Sequence, residues 1–334
     1  MINLKKYMAV VGIICLFCAC NDEWKDELYS HMISLKAPVN DEGVADIYLR
    51  YKVNGEVTYQ LPVLVSGSTL LDHSTDVHIG VDNDTLAILN MEKYQLREDL
   101  YYMQLPEQFY EFESPICHIP AGSNKELFPI KFKFDGLDLS QEWVLPLTVE
   151  ENDSYTTNKR KGWRKALLHI LPFNDYSGNY SATAMNLYLG DSNNDPMVMD
   201  NRKAYVVDEN TIFFYAGFQN DNAINRFTYK MYVRFEEPNL KEDGTTQFGS
   251  LTLWAENQEI GFKVEGQPTY EIRYEQDPVQ PYLEHQYFVL NMKYRYKDIT
   301  TVPGNPIDFR AEGMLTMERK FNTLIPDEDQ AIMW

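Results

Sequence analysis

Apolar residues recur at every second position along most of this chain, and that period constrains the fold more than any other feature. Turn residues, among them Asn54-Gly55 and Asp135-Gly136, separate the runs. Because successive side chains of a β-strand point to opposite faces, period two indicates half-buried strands. About seven short strands within ~130 residues predict an immunoglobulin-like β-sandwich in the first half. These runs span residues 47–53, 59–65, 77–81, 130–134, 145–149 and 166–170.

One stretch of the first half carries the signals of a helix. The polar residues at 82–84 can cap a helix that runs from Thr85 to about Lys93. The sequence predicts that the apolar side of this helix consists of Leu86, Ile88 and Leu89. A helix here would interrupt an otherwise continuous series of strands.

The alternation stops and restarts near residues 171–178, where Pro172, Asn174 and Gly178 gather, and this predicts a domain junction. Longer period-two runs follow, the longest from Phe288 to Tyr296. We therefore predict an all-β chain with a sandwich domain over residues 36–172 and an antiparallel domain over 173–334. The second domain is a lipocalin-like meander, and the sequence leaves open whether it closes as a β-barrel or folds as a β-sandwich.

The first twenty residues resemble the export signal of a bacterial lipoprotein. Lys5 and Lys6 precede an apolar stretch that ends in Phe17-Cys18-Ala19-Cys20, and that run resembles a lipobox. The resemblance implies a signal peptide over residues 1–19, lipidation of Cys20 and a lipidated acidic tether over residues 20–35. A single transmembrane anchor is the alternative, but the apolar run is about half of the ~20 residues that a membrane span needs.

The residues directly after Cys20 bear on which membrane face the protein occupies. Residues 21–27 contain four acidic side chains, and this cluster resembles the surface-export signal of Bacteroidetes lipoproteins. We therefore predict a lipid-anchored protein of the outer membrane that faces the cell exterior. A periplasm-facing anchor with a solvated acidic tether is the alternative.

Charge and cysteine usage exclude further classes of function. The chain has 50 acidic and 30 basic residues and a net charge of −20, which argues against nucleic acid as a partner. The same charge argues against binding polyanionic sugars over the whole surface, although it leaves room for a local basic patch. Cys117 is the one cysteine left beyond residue 20, and its alternating neighbours predict a small buried hydrophobe.

Several segments resemble a known family. They are residues 61–69, 77–84, 102–110, 176–181, 313–319 and 325–334, and the resemblance that they carry extends over most of the chain beyond the signal. They are similar to two-domain Bacteroidetes lipoproteins of polysaccharide utilisation loci, whose members lie next to glycan-uptake systems. The resemblance implies a surface glycan-binding accessory protein. It supplies no binding residue.

Motifs for catalysis or metal binding are mostly missing from the sequence. The six histidines form none of the zinc motifs, and no nucleophile elbow occurs. The loop 191–195 places oxygen ligands at alternate positions but lacks the Gly and the distal Glu of a calcium loop, so we predict a polar hairpin tip. We predict no cofactor and no metal. A glycosidase needs two carboxylates at a suitable distance, and with fifty acidic residues in the chain such a pair is possible without a recognisable motif.

Aromatic residues opposite the predicted core face of the second domain are the candidate glycan-binding residues. They are Tyr215, Tyr232, Trp254 and Tyr287, and exposed rings of this kind can stack on sugar rings. The alternative is that both faces of these strands are covered, one by the barrel interior and the other by the first domain.

These observations predict a non-catalytic, cell-surface, glycan-binding accessory lipoprotein of a polysaccharide uptake system. Its predicted partners are an oligo- or polysaccharide, the outer membrane through the lipid anchor, and an outer-membrane transporter complex. Two alternatives belong to other classes. One is a structural subunit that docks on the transporter without binding sugar, and the other is an unrecognised glycoside hydrolase.

Overall fold

The structure is a computed structural model that describes residues 29–53 and 55–325. The predicted signal peptide, Cys20 and most of the predicted tether lie outside the described residues. The end of that tether, Met32–Leu35, is a β-strand whose Ile33 and Leu35 are buried in the core of the first domain. Alternation of apolar residues therefore begins earlier than the sequence analysis placed it.

The first domain consists of short strands, one α-helix and single turns of 3₁₀-helix. The strands are β1 (Met32–Leu35), β2 (Ala45–Arg50), β3 (Glu56–Ser66), β4 (Thr75–Val81), β5 (Met103–Gln104), β6 (Tyr110–Phe112), β7 (Ile116–Ile119), β8 (Lys125–Lys133), β9 (Trp143–Val149), β10 (Thr156–Thr157) and β11 (Lys165–Phe173). The helix is α1 (Asn83–Tyr94), and the 3₁₀ turns are Glu98–Leu100, Glu107–Phe109 and Arg160–Gly162.

Two sheets pack face to face in this domain. One has the strand order β10-β1-β3-β8-β6, and the other has the order β2-β11-β9-β4-β7, with β5 beside β9. Leu61 and Phe128 of the first sheet share one buried core with Leu145 and Leu168 of the second. The predicted β-sandwich is confirmed.

Helix α1 begins as its capping residue predicts. The side chain of Asp82 accepts hydrogen bonds from the backbone N–H groups of Asp84 and Thr85. Leu86 is buried, but Ile88 is 56% exposed, so the prediction that Ile88 belongs to the apolar side is wrong. Two residues correspond to about 200° around a helix axis, which turns Ile88 away from the face that Leu86 buries.

The second domain is built from longer strands. They are β12 (Gly178–Leu189), β13 (Met197–Val198), β14 (Arg202–Val206), β15 (Thr211–Tyr215), β16 (Lys230–Phe235), β17 (Asn239–Leu240), β18 (Thr246–Trp254), β19 (Lys263–Val264), β20 (Thr269–Gln276), β21 (Leu283–Asp298) and β22 (Ile307–Asn322). Single 3₁₀ turns lie at Arg226–Tyr229 and Gln258–Ile260.

Eight of these strands form a closed antiparallel barrel. Neighbouring strands pair in the order β12, β14, β15, β16, β18, β20, β21 and β22, and β22 then pairs with β12 to close the barrel. Closure requires a glycine at Gly313, because its φ is +140° and an added Cβ would clash with the backbone oxygen of Ala184. Of the two folds that the sequence left open, the barrel is the one observed. Among the described residues, no helix has the length and apolar character needed to cross a membrane.

A short linker joins the two domains, and its backbone is held in place. The buried guanidinium of Arg319 donates hydrogen bonds to the carbonyl oxygens of Asn174, Asp175 and Ser177. The carboxylate of Asp175 also pairs with Arg50 of β2 at 2.7 Å. The linker is therefore bonded to both domains.

Candidate functional site

Three of the four predicted glycan-binding aromatics lie together on the outer face of the barrel. Tyr215 and Tyr232 point away from the barrel core, but they are 5% and 9% exposed and pack in one cluster with Phe213. Trp254 is half-buried, and its ring stacks on that of Tyr232 with centroids 5.3 Å apart. The expectation that Tyr215 and Tyr232 are exposed is therefore wrong. Their burial removes the free ring faces on which sugar stacking depends.

Contacts with the first domain lie directly beside this cluster. The ammonium of Lys230 donates a hydrogen bond of 2.7 Å to the hydroxyl of Ser140, and it lies 5.2 Å from the centroid of the Phe213 ring. Arg226 pairs with Asp99 of the first domain at 3.3 Å. These contacts favour the alternative in which the first domain covers the second face of the strands.

Tyr287 lies apart from the other three, on the outside of β21. It borders a shallow surface with Asn179, Arg273 and Glu318. The guanidinium carbon of Arg273 is 5.2 Å from the centroid of the Tyr287 ring. The structure thus separates Tyr287 from the aromatic cluster with which it was grouped.

A small cavity lies between the domains, and His169 is one of the residues that line it. His169 Nδ1 is 2.7 Å from Asp46 Oδ1, and Nε2 is 2.8 Å from Glu142 Oε2. Burial lowers the pKa of His169, but the two carboxylates outweigh this effect and raise the pKa above its ordinary value. Burial likewise raises the pKa of Glu142, but His169 and the charge of Lys203 outweigh it and lower that pKa to about 2. Below this raised pKa, His169 is an imidazolium held between two carboxylates.

This cavity is better explained as part of the contact between the two domains than as a ligand-binding pocket. Its volume is about 200 Å³, which is below the ~300–1,000 Å³ of typical ligand pockets. The first domain supplies Tyr48 and Tyr102 to its wall, and the second supplies Lys203 and Tyr205. The charges of His169, Asp46 and Glu142 are already paired with one another inside the first domain.

An open groove on the first domain has the size and shape of a ligand site. Its volume is about 550 Å³, within the range of typical ligand pockets. The wall is formed by the end of β1 with the residues after it, by the end of β3, and by the loop before β11. Leu35, Leu64 and Val65 are among its apolar lining residues, and Trp163 stands on the loop side. We call this surface the Trp163 groove.

Trp163 is the exposed tryptophan of the described chain. It is 45% exposed, whereas Trp143 and Trp254 are half-buried. No described protein group accepts a hydrogen bond from the Trp163 indole, while the Trp143 indole donates to the carbonyl oxygen of Asp138 at 2.8 Å. The Trp163 ring and its N–H group are therefore available to a ligand.

The backbone beneath Trp163 is fixed to the sandwich. Leu35 N–H donates to the carbonyl oxygen of Trp163 at 2.8 Å, and Trp163 N–H donates to that of Arg160 at 3.0 Å. The side chain of Asn158 donates to the hydroxyl of Ser34 at 3.0 Å. The loop thus presents the indole from a backbone anchored to β1.

Positive charge surrounds this tryptophan. Lys36, Lys161 and Lys165 line the groove, and no carboxylate does. Lys165 is paired with Asp82 at 2.7 Å. The guanidinium carbon of Arg160 lies 5.7 Å from the centroid of the Trp163 ring.

Sequence reasoning did not single out Trp163. The strand period identifies only aromatic residues that lie opposite a core face, and Trp163 lies in the loop between β10 and β11. A usable signal was present, because a tryptophan that directly follows Lys159-Arg160-Lys161-Gly162 cannot belong to an alternating strand. An aromatic residue in a basic loop of this kind is a candidate for an exposed binding residue.

The remaining predictions about chemistry fall on residues with structural contacts. In the loop 191–195, Asp191 pairs with Arg295 at 2.7 Å, and the side-chain oxygen of Asn193 accepts from Arg310 at 2.6 Å. No group of three or more His, Cys, Asp or Glu side chains in the described residues is placed to hold a metal ion. Cys117 is 4% exposed, and burial raises the pKa of its thiol to about 12.

Comparison with known proteins identifies relatives of both domains. A family model described as a domain of unknown function (DUF4973) matches residues 24–154, and a model for a C-terminal domain matches residues 164–316. A multidomain protein from Bacteroides ovatus, described as including DUF1735, is 41% identical, with 90% of this chain and 99% of that chain covered and a TM-score of 0.78. This chain belongs to the same family of two-domain Bacteroides proteins.

Two further members of the family have solved structures. One, also from Bacteroides ovatus, is 42% identical over 91% of this chain and 100% of that chain, with a TM-score of 0.79. The other, from Bacteroides thetaiotaomicron, is called an auxiliary nutrient binding protein. It is 35% identical over 92% of this chain and 100% of that chain, with a TM-score of 0.76. No curated protein matches the chain.

Proposed function

We propose that this protein is a non-catalytic, cell-surface, glycan-binding accessory lipoprotein of a polysaccharide uptake system, and that the Trp163 groove holds the glycan. The observation that carries the proposal is an exposed tryptophan on an anchored loop, beside an open groove with apolar lining. Tryptophan offers a large rigid apolar face and an N–H donor, which together suit the apolar faces and hydroxyls of a sugar ring. The name of the Bacteroides thetaiotaomicron relative supports a role in nutrient binding.

The carboxyl groups whose pKa values are clearly shifted are poor candidates for the general acid of a glycosidase. Glycoside hydrolysis by the common mechanism needs a carboxylic acid whose pKa is raised, so that it can protonate the leaving group. Every described Asp or Glu whose pKa departs clearly from its ordinary value has that pKa lowered, including Asp46 and Glu142. Such groups stay ionised at neutral pH and are poor proton donors.

The cellular location is part of the same proposal. A lipid chain on Cys20 would hold the protein on the outer membrane, facing outward. Protease added to intact cells should then remove the protein, and Cys20→Ala should leave it uncleaved or soluble. Survival of the full-length wild-type protein on intact cells would contradict surface display, provided that the purified protein is cleaved by the same protease.

Affinity gel electrophoresis against a panel of neutral and acidic polysaccharides tests the binding site. We expect at least one polysaccharide to retard the wild-type protein. Trp163→Ala should then weaken binding by about 1–3 kcal/mol, by analogy with other aromatic stacking on ring ligands. Trp254→Ala is the matched control, because the Trp254 ring already stacks on Tyr232.

Two results would overturn the assignment. Loss of binding in Trp254→Ala but not in folded Trp163→Ala would move the site to the second domain. If no polysaccharide retards the wild-type protein, the subunit that docks on a transporter without binding sugar becomes the better hypothesis. Circular dichroism of each variant must show that it is folded.

A further inference from the structure

We infer that the Trp163 groove selects acidic saccharides, whose rings carry carboxylate or sulfate groups. This inference rests on the proposal that the groove binds a glycan, and it adds the chemical class of that glycan. Its basis is the local reversal of charge. Acidic residues outnumber basic ones by 50 to 30 in the chain, yet the groove is lined by three lysines and by no carboxylate.

Two of the three lysines that line the groove have no acidic partner among the described residues. On the same loop, Lys159 and Arg164 both pair with Glu151, at 3.0 and 2.6 Å. By contrast, Lys36 and Lys161 make no ion pair with any described residue, and neither does Arg160. Surface lysines without partners are ordinary individually. Here, however, they line a groove that also contains an exposed tryptophan and no carboxylate. This combination points to a ligand with an anionic sugar ring.

These cations belong to two chain segments that meet at the groove. Lys36 directly follows Leu35, whose N–H group is bonded to the Trp163 carbonyl. Lys161 precedes Trp163 by two residues, and Arg160 lies against the ring itself. A sugar ring stacked on Trp163 would therefore have ammonium groups near its edge. Lysine carries a compact charge on a flexible stem, so it can meet a carboxylate or a sulfate without demanding one geometry.

An anionic lipid surface is a different partner that also attracts tryptophan and lysine. The shape of the site favours the saccharide. The lysines line a recess of about 550 Å³, whereas binding to a flat bilayer favours a protruding surface. We therefore choose the saccharide and use vesicles as an arm of the test.

Matched polymers separate charge from stacking. Isothermal titration calorimetry would compare polygalacturonate with its fully methyl-esterified form, and dextran sulfate with dextran. Each charged polymer shares its backbone with a neutral partner. We expect the wild-type protein to bind at least one charged polymer about tenfold more tightly than its partner, as two exposed ion pairs would provide. This preference should fall towards unity in about 1 M salt, where the screening length is about 3 Å.

Variants assign that preference to named side chains. Lys36→Gln combined with Lys161→Gln should weaken binding of the charged polymer about tenfold, to the level of its neutral partner. Lys159→Gln is the matched control, since Lys159 lies on the same loop but is already paired with Glu151. It should leave the preference intact.

The outcomes distinguish this inference from the proposed function. Equal binding of charged and neutral partners, lost in Trp163→Ala, would overturn the acidic class while the glycan-binding proposal stands. Binding of neither charged polymer would also overturn the acidic class, and failure of the whole polysaccharide panel would overturn glycan binding as well. If the wild-type protein sediments with phosphatidylglycerol vesicles, Trp163→Ala does not, and neither charged polymer binds, the groove would be assigned to a lipid surface.

Discussion

Replacing His169 by alanine tests the account of the cavity between the domains. The imidazolium donates hydrogen bonds to Asp46 and Glu142, and its own side chain is 9% exposed. A hydrogen bond to a charged group is worth about 1.5–3 kcal/mol when buried. The two carboxylates are 29% and 34% exposed, so solvent reduces each contribution towards ~1 kcal/mol. We therefore expect His169→Ala to lower the free energy of unfolding by about 2 kcal/mol.

The pH dependence of this loss has a definite sign. The pKa of His169 is raised in the folded protein, so its stabilisation is full below the ordinary value of 6.5 and fades as pH rises through the folded pKa. The pKa values of Asp46 and Glu142 are lowered, so their stabilisation is present above the ordinary values of 3.8 and 4.5 and fades in acid. The difference between wild type and variant should therefore be largest between pH 4.5 and 6.5.

Urea denaturation at about pH 5.5 and pH 9 measures this difference. The control is His118→Ala, because His118 forms a similar pair with Asp76 at 2.6 Å but with side chains 63% and 61% exposed. Exposed pairs contribute ~0–1 kcal/mol, so the control should change little. A loss below about 0.5 kcal/mol in His169→Ala, or a loss that grows from pH 6.5 upward, would refute the reasoning.

Three further predictions, which use five substitutions, test the fold. Gly313→Ala should destabilise the barrel strongly in thermal unfolding, because the new Cβ clashes with backbone, whereas Gly244→Ala should cost only about 1 kcal/mol because it meets positive φ and open space. Equal losses would contradict the closure argument. Leu86→Ala should cost about 2–4 kcal/mol and Ile88→Ala less than ~0.5 kcal/mol in urea denaturation, and the reverse order would mean that the buried face of α1 is misassigned. Trp254→Ala should cost about 0.5–1.5 kcal/mol of stability through its lost stack on Tyr232, and an unchanged melting temperature would show that the stack contributes nothing.

Local patterns predicted the strands, because alternation reports directly which side chains meet a core. The choice between barrel and sandwich depended on the pairing of β12 with β22, which are more than a hundred residues apart and share no local signal. The same limit explains Tyr215. Its position opposite Phe214 follows from the strand period, but its burial depends on how the first domain docks. Likewise, His169 meets Asp46 only because β2 and β11 pair in parallel.

The bonds that Arg319 makes to the linker restrict how this protein can respond to a ligand. A hinge motion between the domains would have to break those three carbonyl contacts, the pair between Arg50 and Asp175, and the bond from Lys230 to Ser140. Each of these bonds involves at least one charged group, and its loss opposes such a motion. These contacts therefore oppose a hinge closure of the two domains around a ligand. Whatever occupies the Trp163 groove would leave the two domains in the same relative orientation, and capture would depend on a surface that is already formed.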